Sequence, residues 1–539
     1  MKRRHDRRRN GLVRAGLLFA MATVGLMLAW CTTPVKSARP DTEAVATIER
    51  GEDIFHREWL ADDPRSHAGD GLGPVFNESS CVACHNLGGA GGAGTIEKNV
   101  NLLSASGLLV AGSGGPAAGA FSVHPKEIDE QTRNTLVTLH PGFRDATTVV
   151  LHRFGIDQDA HNAWWIQAQN GIPLAQIQEP VAIPVEAEFN DPAPGQPVPV
   201  FEPEAATVID ASQLMFTAPV QAFNGVSGVD AGQFPVISRV LNRINSLKQD
   251  LNPINQTSAT VGNSVVQSSQ RNTSALFGIG LIDDIPDEVI EAVAQQQADS
   301  NTGVTGRVHR LEDGSIGRFG WKAQKASLYD FTMTACAVEV GLHVPGHEQA
   351  PVPYDSEHEP PGLDLNQDQL DALVAYIRSL PPPTQNDPGE DETRNRIQQG
   401  KELFKSAGCA VCHVDNMGDV DGLYSDLLLH DLGPELGGVG HYGIQSTPAP
   451  ESDEQLGATD DGQTKPAGPS ATEWRTPPLW GVRDSAPYLH DGRARTLETA
   501  IAFHGGEAAD SRLKFFRMTD DEQQSVVAFL KTLTAPRDK

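Results

Sequence analysis

Cysteine is scarce, with six in a chain of 539 residues. Four of the six are spent on two copies of one pattern, "CVACH" at Cys81 and "CAVCH" at Cys409. Basic residues are also few, 42 Lys and Arg against 70 Asp and Glu, for a net charge of -28. A surface of that sign repels a phosphate backbone and argues against nucleic acid as a partner. It reads as the solvated acidic exterior of an exported protein, and charge alone assigns no docking role. Aromatic residues make up only 6%, but charged residues stop at 21%, so the chain is globular rather than disordered, and its length suggests more than one domain. Long apolar runs are missing too. The stretch "LLFAMATVGLMLAW", from Leu17 to Trp30, is too short to read as a membrane span.

That stretch instead reads as the apolar core of an export signal. The basic "MKRRHDRRRNGLVRAG" precedes it and Cys31 follows at once, so residues 1–31 form a signal or anchor segment. Cys31 in "LAWC" is a candidate lipid acceptor, although Trp30 stands where such boxes carry a small residue. Cleavage nearby, or retention as an anchor, are the alternatives. Export places the chain in the periplasm or cell envelope of a bacterium.

Three chemistries use cysteines at the spacing of the two pentads. A zinc knuckle needs two pairs, or one pair and two histidines, close in the fold. A thioredoxin-like dithiol needs the pair on a strand-to-helix turn and does not require the histidine. Covalent c-type haem needs both thiols and the adjacent histidine as iron ligand. Only the haem reading uses every fixed residue: Cys81, Cys84 and His85, then Cys409, Cys412 and His413. Attachment of c-type haem outside the bacterial cytoplasm agrees with the export signal.

The chain also repeats itself. "GEDIF" at Gly51 and "GKELF" at Gly400 each precede a pentad, and "LVAYIRSLPPP" from Leu373 matches "VVAFLKTLTAP" from Val526 in apolar pattern. Helical spacing ending at proline predicts a closing helix in each half. "RNTSALFGIG" at Arg271 echoes "RTPPLWGV" at Arg475. "FGWKAQKASLYDFTMTACAVEVG" from Phe319 aligns without a gap on "YLHDGRARTLETAIAFHGGEAAD" from Tyr488, setting Trp321 opposite His490. The expectation is a mainly α protein of two tandem cytochrome c-like domains, at 40–385 and 386–539. The first carries a long insertion at about 86–270, read as irregular or partly β because of the runs "GGAGGAG" from Gly88 and "EPVAIPVEAEFNDPAPGQPVPVFEPEA" from Glu179. "PPPTQNDPGEDET" from Pro381 reads as the linker.

Two Cys-x-x-Cys-His halves, a Trp ahead of an acidic residue in the first, and "PYLHDGRARTLETAIAFH" in the second resemble the bacterial dihaem cytochrome c peroxidases and the dihaem enzyme that matures tryptophan tryptophylquinone. "GLGPVFNESSCVACH", "RFGWKA", "YSDLLLHDLGP", "EWRTPPLWG" and "LHDGRARTLETAIAFHGGEA" are more closely similar to exported dihaem oxidoreductases described as peroxidases or "thiol oxidoreductases". If both cysteine pairs hold haem, no dithiol is left for the second name. The resemblance implies two covalently bound c-type haems, a reaction site at the first, and electron entry at the second. It implies His85 and His413 as proximal iron ligands, Trp321 between the haems, Glu339 as the catalytic carboxylate, and His504 in the place of the sixth ligand of the second haem. There the peroxidases carry Met and the quinone-maturing enzyme Tyr, so this chain departs from both. Calcium lies between the haems in the family, and no run of oxygen ligands here commits to it. The implied partners are hydrogen peroxide or another small oxidant, and a small redox protein or other electron donor.

On the residues alone, Arg271 and Arg475 read either as anchors for haem propionates or as surface arginines at turns. Glu339 also reads as an ordinary helix carboxylate and Trp321 as a core aromatic. Met417 and Met518 rival His504, while His343 and His347 are further candidates to cap the first haem. Three functions compete: a peroxidase-like enzyme, an electron-transfer cytochrome, and an enzyme that modifies a partner protein. The enzyme needs one open iron with an acid/base group beside it, which Glu339 supplies. The relay needs both irons closed.

Overall fold

The computed structural model describes residues 42–536 apart from 108, 112–122, 126–127, 172–233, 255, 301, 387–388, 441 and 444–467. The export signal, Cys31 and the Pro-rich run from Glu179 lie outside the described residues. Met1–Thr47 and Ile48–Lys539 form two units. Of the first, only the opening of the helix Thr42–His56 is described; everything below belongs to the second. Among the described residues no helix is long and apolar enough to cross a membrane.

The fold is mainly helical with small sheets, and one set of contacts occurs twice. In the first half the helix ending at His56 crosses the helix Gln367–Ser379; in the second, Asp391–Ala407 crosses Asp520–Leu530. Phe55 packs on Tyr376 with ring centres 5.3 Å apart, and Phe404 on Phe529 at 5.5 Å. A glycine permits each crossing, since an added methyl on Gly51 would overlap the Ala372 carbonyl and one on Gly400 the Ser525 carbonyl. Both closing helices start in capping boxes, Asn366 with Gln369 and Thr519 with Glu522. The internal echo "GEDIF"/"GKELF" therefore records a close-packed helix crossing used twice.

The aligned segments behave alike as well. Ser327 caps Leu328–Ala335 by accepting from the Asp330 N–H, and Thr496 caps Leu497–Ala502 by accepting from the Thr499 N–H. The first continues into a π-helical turn, Cys336–Val340, that ends on Gly341; the second stops at Phe503. The extra turn sets Glu339 where it is, and π-turns are frequent at functional sites.

The insertion is more ordered than its composition suggests. Strands Thr148–Leu151, Val100–Gly107, Ser264–Arg271 and Ser258–Val261 form an antiparallel sheet in that order, so the partly β expectation matches. Helices were not expected there, yet Glu130–Leu139 covers the sheet, burying Leu136 and Leu139 against Leu103, Val149 and Val266. A sheet with one apolar face must be covered, and the run after the Asp129 cap carries the residues to do it. A second helix, Phe234–Leu247, places Val240 and Ile244 in the core of the second half, beside Phe404, Phe515 and Phe529.

Candidate functional site

Each pentad opens onto its own cavity. Cys81, Cys84 and His85 line the first, and Cys409, Cys412 and His413 the second. Burial pushes the thiols of Cys81, Cys84 and Cys409 up to about 12, so they are held neutral, and that of Cys412 is raised for the same reason. The histidines are held so that each could ligate a metal. His85 Nδ1 bonds to the Gly92 carbonyl at 3.2 Å and His413 Nδ1 to the Tyr424 carbonyl at 2.9 Å. A carbonyl only accepts, so each Nδ1 carries the proton and each Nε2 keeps its lone pair free. Burial lowers both histidines to about 4, keeping them neutral at physiological pH. The Gly-rich turn after the first pentad is what brings the Gly92 carbonyl to His85.

The far wall differs between the two cavities. In the second, His504 faces His413, with ring centres 6.5 Å apart. Its Nδ1 is held by the Ala500 carbonyl at 2.9 Å, so its Nε2 is also free, and burial lowers its pKa. A metal–imidazole bond is about 2 Å, so two histidines on opposite sides of one metal have ring centres roughly 6 Å apart. Met417 and Met518 do not line this cavity; Met417 is buried in the first half's core, and Met518 packs at the second.

In the first cavity Glu339 is a lining residue, and His343 and His347 are not. His343 is bound to the Gly362 carbonyl, and His347 to Thr334 and Asp330. Asn77 Nδ2 donates to Glu339 Oε2 at 2.8 Å, and the Asn77 N–H donates to the Glu339 carbonyl, also at 2.8 Å. Tyr442, from the second half, lines the same cavity. Oε1 is buried with no hydrogen-bond partner among the described residues. Burial raises the Glu339 pKa, opposed by the Asn77 donor and by Arg153. A buried carboxylate with one free oxygen can take up and release a proton in a cavity whose walls are mostly apolar.

Trp321 lines both cavities, its Nε1 donating to the Asn272 carbonyl at 2.9 Å and its ring 6.5 Å from that of His490. Thus the two residues aligned by the internal repeat meet. Arg271 lines the first cavity and Arg475 the second; both are buried, not at the surface. Neither forms an ion pair with a carboxylate among the described residues, and burial lowers each to about 10. Arg475 donates to the Gly320 and Thr476 carbonyls, and Arg271 to those of Gln270, Val439 and Gly440. Among the described residues His490 Nε2 is a further buried atom without a hydrogen-bond partner.

These features fit c-type haem: paired thiols, a histidine with its free nitrogen turned inward, apolar walls, and buried cations available to acid groups. They do not fit a zinc knuckle, because the two pentads open into different cavities. Sequence reasoning missed Asn77 and Tyr442, which come to the Glu339 cavity from far along the chain. It also missed Lys322 and Trp474. The buried Lys322 Nζ lies 3.7 Å from the Trp474 ring centre, while His490 stacks on that ring at 3.6 Å. A further group, Asp426, His430 and Glu507, sits beside Cys412. His430 Nε2 is 2.9 Å from Asp426 and Nδ1 is 2.8 Å from Glu507.

Residues 452–533 match the family model described as "Di-haem oxidoreductase, putative peroxidase". The chain is 32% identical over 180 residues to hydrazine synthase subunit gamma of Kuenenia stuttgartiensis, over 31% of this chain and 49% of that protein. It is 32% identical over 148 residues to methylamine utilization protein MauG of Methylorubrum extorquens, over 26% and 34%. With cytochrome-c peroxidase IdrP1 of Denitromonas iodatirespirans it shares 31% identity over 156 residues, over 25% and 40%. The chain spans about half or less of the length of these curated relatives. It is related in sequence to di-haem oxidoreductases, and each of its Cys-x-x-Cys-His cavities has the residues for one covalently attached haem.

Proposed function

We propose that this chain is a periplasmic dihaem c-type oxidoreductase of the peroxidase kind, built as two cytochrome c-like domains at 40–385 and 386–539. It takes electrons from a small redox protein or similar donor at its second half and delivers them to hydrogen peroxide or another small oxidant at its first. The duplicated helix crossings and capped segments support the two-domain reading. The haems supply the redox chemistry: electron storage and an iron at which an oxidant can be reduced.

The chain's own residues divide the labour. Cys81, Cys84, Cys409 and Cys412 attach the cofactors, with His85 and His413 as proximal ligands. His504 closes the second site. Glu339 moves a proton between the two oxygens of a bound peroxide, a task that needs a buried carboxyl whose proton affinity is raised towards working pH. Trp321 lies against both cavities and offers an aromatic bridge between them. Arg271 and Arg475 offset negative charge at the cofactor edges.

The observation that carries this reading is the asymmetry between the cavities: a histidine pair in the second, and in the first a buried carboxylate with a free oxygen lining the same cavity as the pentad's histidine. Optical and EPR spectra of the purified holoprotein, oxidised and half-reduced, test it. One haem is expected to be low-spin and six-coordinate, and the other to be open, or to open on half-reduction, and to react with peroxide. Two low-spin haems, inert to peroxide in both states, would make the chain an electron-transfer cytochrome instead.

A further inference from the structure

Glu339 sits on a π-helical turn, and such a turn ends in carbonyls that no N–H of its own helix can reach. The carbonyls of Val338, Glu339 and Val340 are each bound from outside the helix. That of Val340 accepts from the Gly73 N–H at 3.4 Å, that of Glu339 from the Asn77 N–H at 2.8 Å, and that of Val338 from His152 Nε2 at 2.9 Å. Gly73 and Asn77 offer backbone groups of the loop before the first pentad. The His152 donor is a side chain, and it comes from the insertion: His152 follows the strand Thr148–Leu151 at the edge of the four-stranded sheet.

The same stretch of backbone also reaches the carboxylate. The Arg153 N–H donates to Asn77 Oδ1 at 3.1 Å, and Asn77 Nδ2 donates to Glu339 Oε2 at 2.8 Å. An amide whose oxygen is taken on one side has its nitrogen to offer on the other, so Arg153 fixes the direction of the Asn77–Glu339 bond. His152 is itself pinned. His161 Nε2 donates to the His152 carbonyl at 3.0 Å, and the His161 ring meets Trp164 edge-on, whose Nε1 donates to the Leu139 carbonyl at 2.8 Å. Burial lowers the His152 pKa to about 4, so the ring is neutral; a carbonyl only accepts, so its proton is on Nε2.

We propose that His152 is a positioning residue for Glu339: its hydrogen bond to the Val338 carbonyl holds the π-helical turn in the form that presents the carboxylate to the first cavity, so that the inserted sheet is part of the reaction site. The inference rests on the role given to Glu339 in the proposed function, and its test separates the two. Without the His152 donor the Val338 carbonyl is buried and unsatisfied, which is costly, and the turn relieves that cost by moving. Glu339 is the next residue and moves with it, while Cys81, Cys84 and His85 keep their own contacts.

The test compares His152→Leu, which removes the donor, with His152→Gln, whose amide nitrogen can take the place of Nε2. The Glu339 carboxyl is followed in the infrared spectrum of the resting holoprotein as the band lost in Glu339→Gln, and stopped-flow mixing with peroxide reads the reaction. In His152→Leu the band is expected to shift and the second haem to keep its wild-type EPR signal. The peroxide reaction should slow about 100-fold, the cost of a misplacement of roughly 1 Å. His152→Gln should restore both band and rate. An unshifted band in His152→Leu, or equal impairment in His152→Gln, would overturn the proposal. If His152→Leu does not hold its haems, His152→Asn replaces it: the shorter amide stops short of Val338, so its band is expected to shift, and an unshifted one overturns the proposal equally. A shifted band with an unchanged peroxide rate would leave the role of His152 standing and remove Glu339 from the proposed function instead.

Discussion

His504 stands across the second cavity from His413 with ring centres 6.5 Å apart, and both rings are oriented by backbone carbonyls through Nδ1. Each carbonyl belongs to the framework and not to a mobile side chain, so the pair is set before any metal arrives. Replacing His504 with Ala is expected to turn one haem from low-spin to high-spin while both remain attached, because Cys409, Cys412 and His413 are untouched. EPR of the oxidised variant checks this. A spectrum unchanged from wild type, or the same change produced by Met417→Ala or Met518→Ala, would move the sixth ligand elsewhere.

The doubled helix crossing makes a stability prediction. Gly400→Ala forces a methyl against the Ser525 carbonyl, which is backbone and cannot swing aside. The cost of such overpacking is about 1–3 kcal/mol, to be read as a lowered thermal midpoint of the holoprotein. Gly51→Ala should behave alike at the Ala372 carbonyl. In an exposed helix interior the same change would instead add helix propensity, so the sign separates a packed crossing from a free helix.

Much of this could be read in the sequence because it is local or periodic. The pentads, the closing helices and the Gly–Phe spacing ahead of each pentad keep their chemistry within a few residues. Tyr442 and Asn77 could not be found that way. They come to the Glu339 cavity only through the fold, and a Tyr in the run "GHYG" carries no local pattern that names its partner. The apolar face of Phe234–Leu247 is strongly periodic, but which core it would enter depends on how the insertion folds. Arg271 was legible as an arginine before an apolar turn; that it also holds the Val439–Gly440 backbone was not.

His430 supplies a pH dependence. Burial opposes its charge, but the hydrogen bonds it donates to Asp426 and Glu507, with the contact to Cys412, outweigh that and raise it to about 12, so it is an imidazolium between two carboxylates. A histidine with a raised folded-state pKa contributes fully below its unfolded value of about 6.5, and that contribution falls as pH rises from there towards the folded value. Chemical denaturation of the holoprotein should therefore show this share of stability shrinking from neutral to alkaline pH. His430→Gln should flatten that slope and cost about 3–5 kcal/mol at neutral pH, because Asp426 is then left buried without its cation. Equal slopes for the two proteins would show that His430 is neutral when folded.

Glu339 carries the sharpest functional prediction. The π-helical turn presents its side chain into the first cavity, and Asn77 binds it through both backbone and side chain. A carboxylate ligates haem iron poorly, so Glu339 can leave open a position that a histidine would close. Glu339→Gln keeps the shape and the Asn77 contact through its amide oxygen, but it cannot carry a proton between two oxygens. The variant should bind both haems, show the wild-type spectrum at the second, and react with hydrogen peroxide about 100- to 10,000-fold more slowly, the usual worth of a positioned acid/base group. Stopped-flow mixing of the half-reduced protein with peroxide reads that step directly. Trp321→Phe should leave the same step intact and slow the electron exchange between the haems that follows, because its ring touches both cavities while its indole N–H is spent on the Asn272 carbonyl. If Glu339→Gln and wild type consume peroxide at one rate, the proton is handled elsewhere, and the carboxylate is a support for the Asn77 turn.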